Sequence, residues 1–312
     1  MDTVQNLKAF LSVAQTGSFS AAARRAGLAT SVLAKRIDQL EASTQTVLFM
    51  RTTRRLTLTE AGQRWIARVT AVVGDVDDLM AEAARPSRDL EGSLRIKAPT
   101  TLAGLYLGEM LGRFQNHHPK VAMDVVLTDR ALNPADEGFD IAISVFGAAF
   151  SGVVDVPLCP LQRIVCASPA YLAARGTPSH PRDLSKHDTL NFRPTGDVWV
   201  FNSAQGPVTV EVRPRMSAND GQVLLAAARA GNGIALLSSY IVLPALRSGA
   251  LVPVLETFSP PEIWIKALIP ENRMPVARIR ALVDFLAANF APPPWDREAV
   301  TIDDRLQAPR NE

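Results

Sequence analysis

The sequence predicts a helical N-terminal unit with a small β-hairpin and a long helix, followed by a larger α/β part. Apolar residues recur every three or four positions in short segments before residue 45. The same helical spacing continues without a proline from residue 60 to residue 84. Beyond residue 92, apolar runs typical of strands alternate with helical patterns, which favours a largely parallel sheet. A chain of 312 residues has room for two or three such domains.

The N-terminal part predicts three short helices joined by tight turns. Gly17 ends the first helix, and Ser18 suits the N-cap of an alanine-rich helix over residues 19–26. Gly27 closes this second helix, and a third begins near Thr30. Two helices joined by a short turn that contains a glycine form a helix-turn-helix. The residues predicted to face the core are Val4, Leu7, Leu11, Ala14, Leu33, Ile37 and Leu40.

Residues 49–58 predict a small hairpin, or wing, because β-branched and apolar residues flank a basic turn. Thr57 or Thr59 can cap the helix that follows, and Thr57 and Glu60 have the spacing of a capping box. The helix over residues 60–85 carries a heptad seam, which indicates either a two-stranded coiled coil or a helix lying on its own domain's core. We expect the coiled coil, because charged residues occupy the other faces. The predicted seam consists of Ile66, Val69, Val73, Val76, Met80 and Ala83.

Breaks in these patterns give the domain boundaries. A proline-containing segment at 85–88 ends the long helix, and the strand and helix patterns begin at Gly92 and close with a helix over 276–289. The chain after this helix is polar and lacks apolar periodicity, so we expect a loosely attached tail. The predicted divisions are a winged helix-turn-helix over 1–59, a linker helix and hinge over 60–89, an α/β domain over 90–291 and a flexible tail over 292–312.

Composition and charge narrow the class of protein. With 47% hydrophobic and 21% charged residues, the chain has the composition of a soluble globular protein. Its apolar runs are shorter than the roughly 20 residues of a membrane helix, and no signal-peptide pattern is expected. Two cysteines are too few for a disulfide scaffold, which fits a reducing cytosol. The net charge is only +2, but cations outnumber anions up to Glu60, and this local excess suits a polyanionic partner.

The outward face of the third helix is the candidate nucleic-acid surface. Because the core positions of this helix turn inward, Thr30, Ser31, Ala34 and Lys35 turn outward. At the start of a recognition helix, hydroxyls can bond base edges, an alanine methyl can pack on thymine, and lysine binds phosphate. Basic residues at the wing tip would bind phosphate or enter a narrow minor groove. The alternative is a three-helix bundle whose basic face is merely solvated.

Short motifs along both parts of the chain match one family. In the first part they are Gly17-Ser18-Phe19-Ser20-Ala21-Ala22-Ala23, Leu33, Ile37, Leu40-Glu41, Leu48-Phe49, Arg51 and Leu58-Thr59-Glu60-Ala61-Gly62. In the second part they are Gly92-Ser93-Leu94-Arg95-Ile96, Phe139-Asp140-Ile141-Ala142-Ile143, Cys166-Ala167-Ser168-Pro169-Ala170-Tyr171-Leu172 and residues 230–237. With these motifs the chain resembles the LysR-type transcriptional regulators over about residues 3–290.

The resemblance implies a bacterial, cytoplasmic transcription regulator, activator or repressor, that is not an enzyme and needs no cofactor or metal. It implies an all-α winged helix-turn-helix with a long linker helix, and a two-lobed α/β effector domain similar to periplasmic solute-binding proteins. Lobe I would comprise about 90–161 and 263–291, and lobe II about 162–262. The implied partners are double-stranded DNA, a small-molecule effector between the lobes, further copies of the chain in a homodimer and homotetramer, and RNA polymerase for an activator. The expected DNA-binding residues are Ser18, Phe19, Ser20, Thr30, Ser31, Ala34, Lys35, Arg51, Arg54 and Arg55.

Polar residues at strand-to-helix junctions are candidates for the effector site. Backbone N–H groups and hydroxyls at Thr100 and Thr101 would favour an anion, and an aromatic or aliphatic carboxylate is therefore the expected effector. Asp220 lies at a second junction, and its carboxylate would repel an anion if the side chain pointed inward. The alternative for each residue is ordinary N-capping. The expected effector-binding residues are Thr100, Thr101, Ser144, Ser217, Asn219 and Asp220.

Signals of other functions are weak. Gly231 and Gly233 lie between a helix and a strand, the reverse of the order in a dinucleotide-binding loop. The four histidines lack metal-ligand spacing. Cys159 and Cys166 form no C-x-x-C motif, so inert buried thiols are expected rather than a redox switch. The chain carries no catalytic motif that would indicate an enzyme. A solute-binding module that has lost regulation is a further alternative, and it predicts no specific DNA binding.

Overall fold

A computed structural model of the protein describes residues 2–51, 56–84, 90–147 and 149–297. Its N-terminal part has three helices, a two-stranded antiparallel wing and one long helix. Ser18 caps the second helix by accepting a hydrogen bond from the Ala21 amide. The elements are α1 (Thr3–Thr16), α2 (Phe19–Ala26), α3 (Thr30–Thr44), β1 (Phe49–Arg51), β2 (Leu56–Leu58) and α4 (Glu60–Ala84).

An apolar core joins the three helices, the wing and the first half of α4. The inward positions predicted for α3 are fully buried in it. The Glu41 carboxylate accepts hydrogen bonds from the Leu48 and Phe49 amides at 2.7 and 3.1 Å, which ties α3 to β1. Gly62 lets α4 pass close to the wing, because a Cβ there would clash with the Leu48 carbonyl oxygen. These contacts hold α3 and α4 in one rigid N-terminal unit.

The heptad seam predicted on α4 is displaced in the structure. Val69 and Val73, two of its predicted positions, are buried in the core that α4 shares with α1. On the neighbouring stripe Val72 and Leu79 are 49% and 65% exposed, and Met80 of the predicted seam is 64% exposed. The predicted register is therefore wrong in the first half of the helix, because the core of the helix's own domain covers that face. The interpretation as a helix lying on its own domain's core applies to the first half of α4, and the coiled coil stays a prediction.

The C-terminal part has two lobes, and the chain passes from the first to the second and back. The break predicted at 85–88, just before the first lobe, lies outside the described residues. Lobe I begins with β3 (Gly92–Ala98), α5 (Thr100–Leu102), α6 (Gly108–His117), β4 (Val121–Leu127), β5 (Ile141–Ser144) and β6 (Val153–Leu161). Lobe II contains β7 (Arg163–Ala167), α7 (Pro169–Arg175), β8 (Thr189–Phe192), β9 (Val198–Phe201), β10 (Val208–Glu211), β11 (Pro214–Ala218), α8 (Gly221–Arg229), β12 (Ile234–Ser238), α9 (Ser239–Arg247) and β13 (Val252–Pro253). The chain returns to lobe I with β14 (Ile263–Pro270) and α10 (Ala277–Asn289).

Each lobe is built on a mixed five-stranded sheet, so the prediction of largely parallel sheets is only partly right. The strand order is β4-β3-β5-β14-β6 in lobe I and β11-β8-β12-β7-β13 in lobe II. Strands β3, β4 and β5 pair in parallel, as do β8, β11 and β12, whereas β14 and β7 pair antiparallel with their neighbours. A strand that arrives from the other lobe needs no helical crossover, so antiparallel pairing is open to it. The predicted fold class, a winged helix-turn-helix with a two-lobed α/β domain, is confirmed.

The segment directly after α10 is attached to the body of the protein, contrary to the prediction of a flexible C-terminal tail. Trp295 is only 3% exposed, and its ring centroid lies 5.4 Å from that of Tyr106 and 5.5 Å from that of Tyr240. The prediction is wrong for residues 292–297, because one large aromatic side chain buries enough apolar area to anchor a polar segment. Residues 298–312 lie outside the described residues.

Val73→Asp is expected to destabilise the N-terminal unit by about 3–5 kcal/mol, because it buries an unpaired carboxylate in an apolar core. Val72→Asp makes the same change one residue away at a half-exposed position, and it is expected to keep the native helical content. Circular dichroism and urea denaturation of the two variants provide the measurement. Equal losses of structure in both variants would contradict the assignment of the two faces.

Candidate nucleic-acid interface and interlobe cleft

The outer face of α3 carries the predicted recognition residues. Thr30, Ser31 and Lys35 are exposed, and Ala34 is half-buried beside them. Ala29 precedes the helix, and within the described ranges no side chain caps the first amides of α3. Two hydroxyls, an ammonium group and free N–H groups are therefore available at the start of this helix, where a base edge or a phosphate can be bound.

The predicted residues around α2 have different environments. Ser18 caps α2, and Ser20 is exposed on the same first turn. Phe19 is half-buried, and its ring centroid lies 6.1 Å from that of Phe49 in the wing. Phe19 therefore supports the packing of the wing against α2, while the two serines lie at the surface of the helix-turn-helix.

The wing is held beside α4 by Thr59 rather than by Thr57. The Thr59 hydroxyl donates to the Val47 carbonyl at 2.7 Å and accepts from the Gly62 amide at 2.9 Å, so it caps α4. Arg51 ends β1, but its side chain lies outside the described residues, as do Arg54 and Arg55 at the wing tip. The predicted contacts of these three arginines stay predictions.

A cleft between the two lobes encloses about 820 Å³ of empty space, part of it open to solvent. Residues from β3 and β5 line it on the lobe I side, and residues from β7, β8 and β12 line it on the lobe II side. Four aromatic rings form much of its surface, which gives the cleft flat apolar walls suited to a small organic ligand. These rings belong to Phe146, Phe192, Trp199 and Tyr240.

Direct contacts join the lobes across this cleft. The Thr101 hydroxyl of lobe I donates to the Asp220 carboxylate of lobe II at 3.1 Å. The rings of Phe146 and Phe192 meet from opposite lobes, with centroids 5.4 Å apart. Tyr106 of lobe I adds a further contact, since its hydroxyl donates to the Tyr240 carbonyl of lobe II at 3.5 Å.

The six predicted effector-binding residues do not all lie in the cleft. Thr101 and Ser144 line it. The Thr100 amide, predicted to favour an anionic ligand, donates instead to the Asp129 carboxylate at 3.3 Å. The anion pocket predicted at this helix start is therefore corrected, because a carboxylate of the chain already occupies it.

The residues predicted at the second junction form structural contacts. Asp220 caps α8, accepting a hydrogen bond from the Gln222 amide at 2.7 Å in addition to that from Thr101. Ser217 is half-buried in β11 and Asn219 is exposed, and the cleft walls described above include neither. The N-capping alternative applies to Asp220.

Two cations in the cleft were missed by sequence reasoning. Lys97 is 5% exposed and donates to the Ile143 carbonyl at 3.4 Å. Burial lowers the pKa of Lys97, and the nearby Asp129 carboxylate partly offsets this effect. Burial also lowers the pKa of Arg163, whose Nε has no hydrogen-bond partner among the described residues. The position of Lys97 between the apolar residues Ile96 and Ala98 is a signal that could have identified it, whereas Arg163 has no such signal.

A hydrogen-bonded network fixes one aromatic wall of the cleft. Trp199 Nε1 donates to Asn191 Oδ1 at 3.2 Å, and Asn191 Nδ2 donates to the Gly196 carbonyl at 2.8 Å and the Asp197 carboxylate at 2.6 Å. Both Asn191 and Trp199 are buried. The polar atoms of this wall are thereby satisfied within the chain, so the wall presents a fixed apolar surface to a ligand.

The cysteines and the potential metal ligands are the other groups that could carry chemistry. Burial raises the pKa of Cys159 and of Cys166 to about 12, so both thiols stay protonated near neutral pH. Within the described ranges no three histidine, cysteine or acidic side chains are grouped to hold a metal ion. The helices of the described part include none that is long and apolar enough to cross a membrane.

Two family models match the chain in consecutive segments. The model described as a bacterial regulatory helix-turn-helix protein of the lysR family matches residues 4–63, and the LysR substrate binding domain matches residues 87–291. The chain belongs to the LysR family of transcriptional regulators. It is therefore a DNA-binding regulator with an effector-binding domain and not an enzyme, as the sequence predicted.

Individual relatives of this LysR-family regulator are similar along nearly the whole chain. The regulator DmlR of Escherichia coli is 31% identical over 92% of this chain and 94% of its own, and PtxR of Pseudomonas aeruginosa is 29% identical over 94% of both. The solved structure of AphB, a Vibrio cholerae virulence activator, is 26% identical, with a TM-score of 0.60 over 91% of this chain and 98% of that chain. CrgA of Neisseria meningitidis is 27% identical, with a TM-score of 0.58 and the same coverage.

Proposed function

We propose that this LysR-family regulator works in the cytoplasm, where it recognises DNA with the outer face of α3 and changes its output when an organic carboxylate binds between the lobes. The observation that carries the proposal is the combination of an exposed polar face on α3 with two cations, the buried Lys97 and the half-buried Arg163, in a largely apolar cleft. For an activator, RNA polymerase is the further partner.

The DNA contacts divide into two kinds. Thr30 and Ser31 hydrogen-bond base edges in the major groove, and Ala34 packs against a thymine methyl. Lys35 binds phosphate, as do the surface serines of the α2 turn and the arginines of the wing. Arg36, the next residue after Lys35, donates to Gln5 on α1 at 3.1 Å and so supports the fold rather than the contact with DNA.

The homodimer forms through the exposed stripe of α4. LysR-type regulators form oligomers, and the second copy of this chain would cover Val72, Val76 and Leu79, which step by four and three residues along the helix. This spacing is that of a coiled-coil seam. The stripe shares Val76 with the seam that the sequence alone predicts but has Val72 in place of Val73, because Val73 is buried in the monomer.

Two further apolar patches support a homotetramer built from two such dimers. On lobe I, Val125 and Leu127 of the edge strand β4 are 38% and 49% exposed. On lobe II, Met216 of the edge strand β11 and Val223 of α8 are 40% and 48% exposed. Edge strands with exposed apolar side chains favour association, and burial of both patches between neighbouring effector domains would protect them.

The effector is an organic carboxylate bound by Arg163 and Lys97. These two cations face a single carboxylate in the cleft wall, that of Asp129, so one positive charge stays uncompensated. A buried charge without a partner costs free energy, and a ligand carboxylate would supply the missing partner through charge-assisted hydrogen bonds. The aromatic walls would cover the apolar part of the same ligand. Binding can change regulation only if the ligand prefers one arrangement of the lobes.

A solute-binding module without regulation is the competing function. It would keep the cleft and the cations but would not bind DNA with sequence preference. A gel-shift assay with the DNA upstream of the chain's own gene distinguishes the two, because only the regulator retards this fragment in the presence of excess unrelated DNA.

Lys35→Ala is expected to weaken binding to all DNA sequences and to reduce the salt slope by about 1, because one phosphate contact is lost. Thr30→Ala and Ser31→Ala are expected to relax base preference, at about 1–3 kcal/mol for each base contact. Fluorescence anisotropy at several salt concentrations measures both quantities. Arg36→Ala is the matched control and should keep the wild-type slope; unchanged binding in all of the first three variants would refute the recognition surface.

The double variant Val72→Asp with Leu79→Asp is expected to sediment as a folded monomer, because like charges would meet in the apolar seam of the dimer. Gln63→Asp, on the opposite side of α4, is the control and should leave the dimer intact. Analytical ultracentrifugation provides the measurement. A dimer that survives the double substitution would exclude this stripe as the interface.

Carboxylates are expected to stabilise the full chain, whereas neutral analogues of the same shape are not. Benzoate and succinate with benzamide and succinamide form a suitable panel, and a bound member should raise Tm by about 5 °C at saturation. Arg163→Met removes one of the two cations of the cleft and should abolish the rise. Arg193→Met, an exposed arginine near the cleft rim, is the control that should preserve it; equal responses from the two variants would argue against Arg163 as the partner of the ligand.

A further inference from the structure

One buried arginine joins the linker helix to lobe I. Arg273 follows β14 and is 7% exposed. Its Nε donates to the Asp140 carboxylate at 2.8 Å, and its Nη1 donates to the carboxylate of Asp75 on α4 at 2.5 Å. A single guanidinium group thus binds two carboxylates that belong to different parts of the chain. The planar, forked geometry of arginine makes such a bridge sensitive to direction as well as to distance.

Part of the boundary between α4 and lobe I is a cavity that is open to solvent. This cavity has about 560 Å³ of empty space and is lined by residues such as Thr70, Gly74 and Phe139. The backbones approach closely at Gly138, where φ is +68° and a Cβ would clash with the Ala67 carbonyl oxygen. The arginine bridge and this close approach are therefore direct contacts between α4 and lobe I.

Strands β3 and β5 connect this bridge to the effector cleft. The second oxygen of Asp140, directly before β5, accepts a hydrogen bond from the Arg95 amide of β3 at 2.7 Å. Lys97, two residues farther along β3 on the same face and about 7 Å away, lines the cleft. At the far end of β5, Ser144 also lines the cleft. The middle of β3 and the start of β5 therefore contact the bridge, and the last residues of both strands reach the cleft.

We propose that Arg273 is the positioning residue that couples the effector cleft to the linker helix. The inference rests on the proposed function of the cleft, since it explains how the state of that site reaches the DNA-binding unit. A ligand that draws on Lys97 shifts β3 and β5, Asp140 moves with them, and Arg273 carries the displacement to Asp75. Because α4 and α3 share one core, a shift of α4 changes the spacing of the two recognition helices in the dimer.

A merely structural role for Arg273 predicts a different outcome from a coupling role. An anchor would change stability, and its effect on DNA binding would be independent of any change in the cleft. A coupler makes the effects of distant substitutions depend on one another. Residues more than about 10 Å apart without shared partners have additive effects within about twofold, so a departure from additivity is the informative readout.

The experiment uses Asp75→Asn, which removes the charge of a half-exposed carboxylate and leaves the Arg273–Asp140 pair of lobe I in place. Asp77→Asn is the matched control: Asp77 lies two residues away on α4 and pairs with Lys8 of the N-terminal unit at 2.6 Å. Lys97→Met changes the cleft. The affinity of the full-length protein for the upstream DNA fragment is measured for each single variant and for both double variants.

Lys97→Met is expected to change the DNA affinity of the wild-type protein, and this effect is expected to differ by at least about fivefold in the Asp75→Asn background. In the Asp77→Asn background it is expected to equal the wild-type effect within about twofold. Asp75→Glu, which restores the carboxylate, should recover the wild-type behaviour. The proposal is overturned if the effects on DNA affinity are additive in both double variants. This includes the case in which Lys97→Met changes nothing.

Hydrogen exchange of the DNA-free protein separates failure of this inference from failure of the proposed function. Asp75→Asn is expected to raise amide exchange in residues 66–76 of α4 and in β5, whereas Asp77→Asn leaves β5 unchanged. If the protein fails to bind DNA but shows this difference in exchange, the bridge is supported and the proposed function is refuted. Identical exchange in β5 for both variants refutes the bridge as a mechanical link.

Discussion

The burial of one face of α4 against the N-terminal core is the contact on which the other functions of this helix depend. Val69 and Val73 complete a core that α1, α3 and the wing cannot close alone, and Lys8 adds an ion pair to Asp77 on the rim. Only after that face is covered are the other faces defined: Val72 and Leu79 stay exposed along one stripe. Full burial of a valine side chain stabilises by about 1.5–3 kcal/mol, more than the roughly 0–1 kcal/mol of an exposed ion pair.

This arrangement makes α4 part of the DNA-binding unit as well as a linker. The recognition helix α3 is bound to the wing through Glu41, and the wing is bound to α4 through Thr59 and the close approach at Gly62. A displacement of α4 therefore carries α3 with it rather than being absorbed by a flexible joint. Since a dimer must match the helical repeat of DNA, small changes in the angle between two such helices alter affinity.

The cleft differs from this apolar core, because it contains charged groups that are not fully compensated by opposite charges. Lys97 is buried and Arg163 is half-buried in the wall of the cleft, and burial lowers the pKa of both. Asp129 offsets part of the effect at Lys97 while its carboxylate also accepts from the Thr100 amide. A cleft that is costly when empty gains most from a ligand of opposite charge, which is why the electrostatics favour an anion. Buried pairs such as Arg273 with Asp140 contribute more to orientation than to stability.

The local elements of this protein are determined by the sequence itself. The helix-turn-helix follows from glycine caps and apolar spacing, and the motifs of both parts identify the family, because these features depend on residues close together in the chain. Periodicity also located the exposed face of α3, with Thr30, Ser31 and Lys35, since a helix with three buried positions has a single opposite side. Only the tertiary structure decided which apolar stripe of α4 is free, that Asp129 fills the predicted anion pocket, and that Trp295 anchors the segment after α10. It also brought Lys97 and Arg163 into one cleft, and Asp75 and Asp140 to one arginine, although these residues are far apart in sequence. Such pairings arise from the packing of whole domains, which local patterns do not encode.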